Sequence, residues 1–398
     1  LAGLTVLDLS NSISGGYCTK LLADLGARVI KIEDRGTGDS LRSTGSFLKD
    51  LPNPETSAPF LYLNAGKMSV TLCLESRGRQ AILRELVKEA DILVENFKPG
   101  YLAELELDYP CLEKVNPGLI MASISYFGQT GPYRNYEGCE LVAYAVGGYM
   151  YLTGDADREP LKAGGSQSEY QAGLSAALAI TAALNYRDHT GEGQYIDLST
   201  VEATVATFDG VTLFTMWERQ GIIPQRAGSR LVWRDPKGPY PSTTLPCKDG
   251  WVHVHYSPSN PKGLALLTAN PRLQEKELLE SMQAHADEID SLISEWLKDY
   301  TKEEVQTLAQ EIRVPFTKVQ TIGEVMTDPQ NEARGFFPEI EHPIAGKLKY
   351  PGSPFGVAQS ALQPFRAPLL GEHNQEVYCQ TLGYSREEMV RLREVGII

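Results

Sequence analysis

Short apolar runs recur through the first half of the chain, each closed by polar or glycine-bearing sequence: residues 6–10, 28–33, 68–74, 91–96 and 119–125. Runs of that length and little alternation predict strands buried on both faces, as in a parallel sheet. Between them lie helical patterns, residues 17–25 with Leu21, Leu22 and Leu25 on one face, and residues 78–90. Ser14-Gly15-Gly16 reads as a turn, so the first strand, helix and second strand form a βαβ unit closing near Glu33. Residues 43–60, rich in Ser, Pro and Asn, read as a loop. Strands alternating with helices through residue 200 predict an α/β fold with a Rossmann-like, doubly wound parallel sheet. Two polar runs emerge where such sheets keep ligands, at the carboxyl ends of strands: Glu95 to Gly100, and SISYFGQTGPY from Ser123 to Tyr133. The glycine fingerprint of dinucleotide binding is incomplete, since only Gly15-Gly16 follows the first strand.

Past residue 200 the alternation lapses. Residues 201–225 read as a helical linker and 226–241 as a loop dense in Arg, Pro and Gly. Residues 242–247 and 251–257 flank Lys248-Asp249-Gly250, a hairpin signature. Helices follow over 262–313, where Thr301 and Glu304 have the spacing of a capping box. These elements predict a smaller α+β domain over 226–325. Residues 374–395 read as one amphipathic helix that rejoins the first domain, so the large domain spans 1–200 and 326–398.

The chain has 398 residues, enough for two cores. Its net charge of -14 argues against nucleic-acid or membrane-surface partners, which are recognised by clustered positive charge. No apolar stretch approaches the roughly 20 residues of a membrane helix, and the opening LAGLTVLDLS reads as a strand and not as a signal peptide. Cys18, Cys73, Cys111, Cys139, Cys247 and Cys379 form no CxxC pair, which predicts reduced thiols and a cytoplasmic location. His253 and His255 share a strand face but lack a third ligand, and nothing calls for a metal, NAD or flavin.

The candidate chemistry centres on Glu169, just ahead of an alanine-rich helix. Ser166 stands three residues before it, the spacing of a capping box, so a purely structural role competes with a chemical one. Unpaired N–H groups and the dipole at a helix start would keep the carboxylate ionised and nucleophilic. Gly164 and Gly165 would let the backbone approach a substrate and offer N–H groups to an oxyanion. Glu140, at the start of another apolar helix, is a second acidic candidate, as a cap or a site residue.

In order, the chain carries VLDLS…GGYCTKLLADLGARVIKIE, VENFKPG, SISYFGQTGPY, GLSAALAITAAL, RDHTGEGQYIDLS, DPQNEARGFF and LGEHNQE. This series resembles the family III CoA-transferases across almost the whole chain. The resemblance implies a large domain built from both chain ends, a smaller domain between, and an interlinked homodimer. It also implies transfer of CoA from an acyl-CoA to a small carboxylic acid, with a nucleophilic aspartate at the position of Glu169. Coenzyme A would lie along Asn11, Ser12 and Ile13 with Leu72, Asn96 and Phe97. Basic positions of the family fall on Asp34, Glu75, Glu104 and Glu137, which leaves Arg35, Arg42 and Lys98 as candidate cations for the phosphates. Phe60, Tyr62 and Tyr126 are expected to line the acceptor pocket. Two alternatives stand beside transfer: a lyase, hydratase or α-proton enzyme using Glu169 as base, and a non-catalytic acyl-CoA-binding partner subunit. Racemase chemistry, which in this family relies on an early histidine, is disfavoured because no histidine lies within residues 1–188.

Overall fold

The computed structural model describes residues 1–74, 77–207, 210–231, 238–356 and 365–398; Glu75 and residues 232–237 of the expected 226–241 loop lie outside them. Six parallel strands form the main sheet: β1 (Thr5–Asp8), β2 (Arg28–Glu33), β3 (Met68–Thr71), β4 (Ile92–Glu95), β5 (Ile120–Ser125) and β6 (Gln194–Ser199). Their order is β3-β2-β1-β4-β5-β6. Val6 of β1 pairs with Val29 of β2 on one side and Ile92 of β4 on the other. The strand order thus reverses between β1 and β4, the switch point at which doubly wound sheets open a ligand crevice.

Both faces of the sheet are covered. On one, Val6, Val29, Ile92, Ile120 and Ile124 pack against α1 (Ser12–Asp24) and against the long α4 (Gln167–Thr190), which contributes Ala172, Ala176, Ile180 and Leu184. On the other, Leu7, Ile30, Val70, Leu93 and Met121 meet Ile82, Leu83, Leu86 and Val87 of α2 (Arg77–Lys88) and Val377, Tyr378 and Ile398 from the chain's end. Runs buried on both faces follow from this two-sided cover.

Charge is also buried in this unit. The Lys67 ammonium donates to Asp8 at 2.9 Å and Lys31 pairs with Asp39 at 2.7 Å, all four residues being buried. Burial alone would push the Asp8 carboxyl up, but Lys31 and Lys67 reverse that and hold it well below the usual range.

Two expected elements differ. Ser14-Gly15-Gly16 is not a turn but part of α1, and Gly15 is needed for close packing, since a Cβ there would fall 2.1 Å from the Ser10 Cβ. The last helix is broken into a π-type turn, Glu376–Thr381, and a separate helix, Arg386–Glu394, which Ser385 and Glu388 cap afresh.

The described chain divides into two compact units, residues 1–149, 162–222 and 333–398 in one, and 150–161 with 223–332 in the other. The expected linker 201–225 does not stand apart: α5 (Thr200–Ala206) and the helix Gly210–Gln220 group with the large unit, while residues 150–161 group with the small one. The small unit holds an antiparallel sheet of β7 (Ser242–Cys247), β8 (Gly250–His255) and β9 (Thr317–Lys318). Its core includes Val252, Val254, Ile289, Ile293 and Phe316. Thr301 and Glu304 form the expected capping box. Among the described residues no helix is long and apolar enough to cross a membrane, and no cluster of three or more His, Cys, Asp or Glu could hold a metal.

Candidate active site at the sheet switch point

Asn11 follows β1 and Asn96 follows β4, so the strand order brings them side by side. The Asn11 N–H donates to the Asn96 side chain at 2.7 Å, and the Asn96 amide donates back to the Asn11 carbonyl. This clasp fixes the loop that leads into α1. The next residue, Ser12, has φ of 69°, a strained left-handed conformation for a residue with a side chain, and donates its N–H to Asp39 at 3.2 Å.

That strain places the Ser12 hydroxyl 3.3 Å from Glu169 Oε2. From the end of β5, the Tyr126 hydroxyl donates to Glu169 Oε1 at 2.9 Å, and the Ile13 N–H also bonds the carboxylate. Glu169 is the third residue of α4 and only 8% exposed. Burial pushes its carboxyl above the usual range; the Tyr126 bond opposes this, the nearby Glu140 charge adds to it, and Ser12 and Ile13 oppose it again. The helix start therefore does not keep this group at low pKa, contrary to the expectation from its position.

The expected capping box is absent. Ser166 makes no side-chain cap. Glu140, first residue of α3 (Glu140–Val146), serves instead: it accepts from the Ser168 N–H at 3.1 Å and from the Ser168 hydroxyl. One carboxylate thus caps α4, which leaves the other free to face the crevice.

A cavity of about 310 Å³ opens in front of Glu169, lined among others by Asn11, Ser12, Asn96, Phe97, Lys98, Tyr126 and Arg134. A second, of about 180 Å³, lies at the ends of β1 to β3 and is lined by Leu72, Phe97, Tyr101 and Asp34; Asn11 and Phe97 border both. Gly164 and Gly165 line neither; their carbonyls accept from Gln167 and Lys162 in the turn before α4.

The candidate cations separate. Arg42 is a correction: it is buried, forks onto Glu33 at 2.7 and 2.9 Å, and reaches Glu55 at 2.8 Å, with its guanidinium over the Phe60 ring. A cation so committed is a structural tie and not a phosphate ligand. Phe60 beneath it is core, 1% exposed, and not pocket lining. Tyr62 packs against the same core. Arg35 is exposed and donates to the Arg393 carbonyl at 2.8 Å. Lys98 borders the larger cavity but pairs with Glu137. Arg134 was missed; the available signal was a basic residue directly after the polar run that ends at Tyr133.

A sheet in this order, with a buried carboxylate opening on a cavity at its switch point, has the architecture of α/β proteins that keep ligands at the carboxyl ends of their strands. Residues 1–374 match the model of CoA-transferase family III. The chain is 32% identical over 410 residues to the succinyl-CoA–D-citramalate CoA-transferase of Chloroflexus aurantiacus, covering 100% of this chain and 98% of that one. It is 32% identical over 425 residues to the formyl-CoA:oxalate CoA-transferase of Rhodopseudomonas palustris, covering 100% and 97%. A CAIB/BAIF family protein from Brucella suis has the same fold, with a TM-score of 0.83 and 30% identity over 95% of this chain and 98% of that one. The chain belongs to CoA-transferase family III and is a CoA-transferase, an enzyme whose substrates are CoA thioesters.

Proposed function

We propose that this enzyme moves CoA from an acyl-CoA to a small carboxylic acid through covalent intermediates on Glu169. The observation that carries the reading is a buried carboxylate, held at both oxygens, facing a cavity of about 310 Å³ at the switch point. One Glu169 oxygen attacks the thioester carbonyl and the C–S bond breaks, giving a mixed anhydride and CoA thiolate. The thiolate attacks the glutamyl carbonyl carbon, the donor acid leaves as carboxylate, and a glutamyl-CoA thioester remains. The acceptor carboxylate then takes CoA by the same steps reversed, so the thioester energy is kept. A carboxyl raised by burial is a stronger nucleophile once ionised.

Coenzyme A fits along Asn11, Ser12 and Ile13, across Phe97, towards Leu72, with Arg35, Lys98 and Arg134 as cations for its phosphates. The two relatives are named for succinyl, citramalate, formyl and oxalate groups; a compact cavity bordered by the cations Lys98 and Arg134 suits acids of that size and charge. The reading is tested by incubating the protein with formyl-, acetyl- and succinyl-CoA and mapping adducts by mass spectrometry. A hydroxylamine-sensitive adduct on Glu169, lost in Glu169→Gln along with turnover, is expected; turnover retained by Glu169→Gln would reduce the residue to a structural role.

The same reading includes an interlinked homodimer. Leu174 and Leu178 on the outer face of α4 are 56% and 71% exposed, and Leu141 and Val146 of α3 are more than half exposed as well. An apolar surface of this kind on the catalytic helix calls for cover. Sedimentation should give twice the chain mass, and Leu174→Lys with Leu178→Lys should weaken the dimer; a monomeric active enzyme would exclude it.

A further inference from the structure

We propose that Tyr126 is a catalytic residue of the return step, the donor that receives negative charge on Glu169 Oε1 when CoA thiolate attacks the glutamyl carbonyl. The inference rests on the covalent sequence above and assigns a role within it.

The two carboxylate oxygens are held unequally. Oε1 lies 2.9 Å from the Tyr126 hydroxyl and Oε2 lies 3.3 Å from that of Ser12. Of the two hydroxyl bonds, attack through Oε2 forfeits the longer and keeps the Tyr126 bond on Oε1, so the attack is assigned to Oε2; the Ile13 N–H, which bonds the same carboxylate, is left out of this ranking. Oε1 then becomes the carbonyl oxygen of the glutamyl half of the anhydride, with the Tyr126 hydroxyl already aimed at it. In the return step the S–Cδ bond forms and the C=O pair moves onto Oε1. Collapse restores the C=O bond, breaks Cδ–Oε2 and expels the donor acid as carboxylate. No proton moves. Burial and the adjacent Glu169 raise the Tyr126 phenol well above its ordinary range, so it remains a donor throughout.

The ring is built into place. The Tyr126 carbonyl accepts from the Ser199 hydroxyl at 3.2 Å and from the Val201 N–H at 3.1 Å, which pins the end of β5 to the start of α5. A Cβ at position 138 would fall 2.2 Å from the ring Cγ, so the ring lies where Gly138 leaves room for it. A donor fixed in this way loses no reorganisation when charge develops.

Tyr126→Phe removes the hydroxyl and keeps the ring. The donor giving the largest Glu169 adduct among formyl-, acetyl- and succinyl-CoA is mixed with the unsubstituted enzyme and with Tyr126→Phe. Two rates are followed: appearance of the enzyme–CoA adduct by quenched mass spectrometry, and release of acyl hydroxamate when hydroxylamine intercepts the anhydride. Loss of one oxyanion donor typically slows a step by about 10²- to 10³-fold. The adduct is expected to slow by about that factor, while hydroxamate release, which needs only the first attack, stays within about tenfold. Gly138→Ala, which displaces the ring but keeps the hydroxyl, should show the same selective loss. Equal slowing of both rates would make Tyr126 a mere support for Glu169 and overturn the inference, as would an unchanged adduct rate. If the unsubstituted enzyme forms no Glu169 adduct with any donor, the covalent sequence falls and this role with it; an adduct there with no selective loss removes this role alone.

Discussion

At Glu169 burial and the charge of Glu140 raise the carboxyl, and bonds from Tyr126, Ser12 and the Ile13 N–H pull against them. The balance can be moved from either side. A nucleophilic carboxylate works above its pKa, so kcat/KM should fall on the acid side with the free enzyme's Glu169. Glu140→Gln removes a like charge and is expected to move that limb to lower pH. Tyr126→Phe removes a donor to the ionised form and should move it to higher pH. Two profiles displaced in the same direction would assign the limb to another group. Glu169 was singled out as a candidate by its place ahead of an alanine-rich helix together with the family resemblance, yet its partners could not be: Tyr126 and Ser12 are 43 and 157 residues away. Arg42 was misread for the same reason, because a cation in a loop carries no mark of the carboxylates that will bury it.

Among the elements, α1 and α4 decide whether the site exists, since one brings Ser12 and the other Glu169. They pack tightly at Gly173 of α4, where a Cβ would lie 2.5 Å from the Ser14 carbonyl oxygen and 3.1 Å from the Tyr17 Cβ. Backbone is on the other side of that contact, so the helices must part. Gly173→Ala would gain about 1 kcal/mol of helix propensity and lose about 1–3 kcal/mol to overpacking. The expected result is a small net loss of stability in urea unfolding with a disproportionate loss of activity, because separation of the helices draws Ser12 from Glu169. A variant as active as the parent would show that the contact does not set the site. The first five strands of the main sheet were readable to within a few residues because apolar runs covered on both faces leave an unbroken signal, whereas β6, with its alternating burial, was not placed. Ser14-Gly15-Gly16 misled because glycine serves a helix contact and a turn alike, and the break after Thr381 was hidden by apolar residues that continue through Leu382 and Tyr384.

For the large unit as a whole, stability carries opposed pH dependences from buried acids. Asp8, held low by Lys31 and Lys67, contributes stability above its unfolded pKa that is lost in acid. Glu95, at the end of β4 and 4% exposed, behaves in the opposite way. Burial raises its carboxyl to about 7, opposed only by bonds from Ser123 and the Phe97 N–H, with no cation among the causes. Between the ordinary glutamate range and pH 7 the folded chain therefore holds a proton that the unfolded chain has released, and stability falls as pH rises through that window. At 1.36 kcal/mol per unit, the full effect is on the order of 3 kcal/mol. Glu95→Gln keeps an acceptor for the Phe97 N–H but cannot ionise. The variant should therefore gain on the parent as pH rises, by about 2 kcal/mol between pH 5 and pH 8 in denaturant unfolding. A difference that stays level across that range would mean that Glu95 is solvated or paired in solution. Phe97 borders both cavities and its N–H rests on this carboxylate, so the acid whose burial costs stability as pH rises to 7 also sits directly beneath the residue proposed to contact CoA.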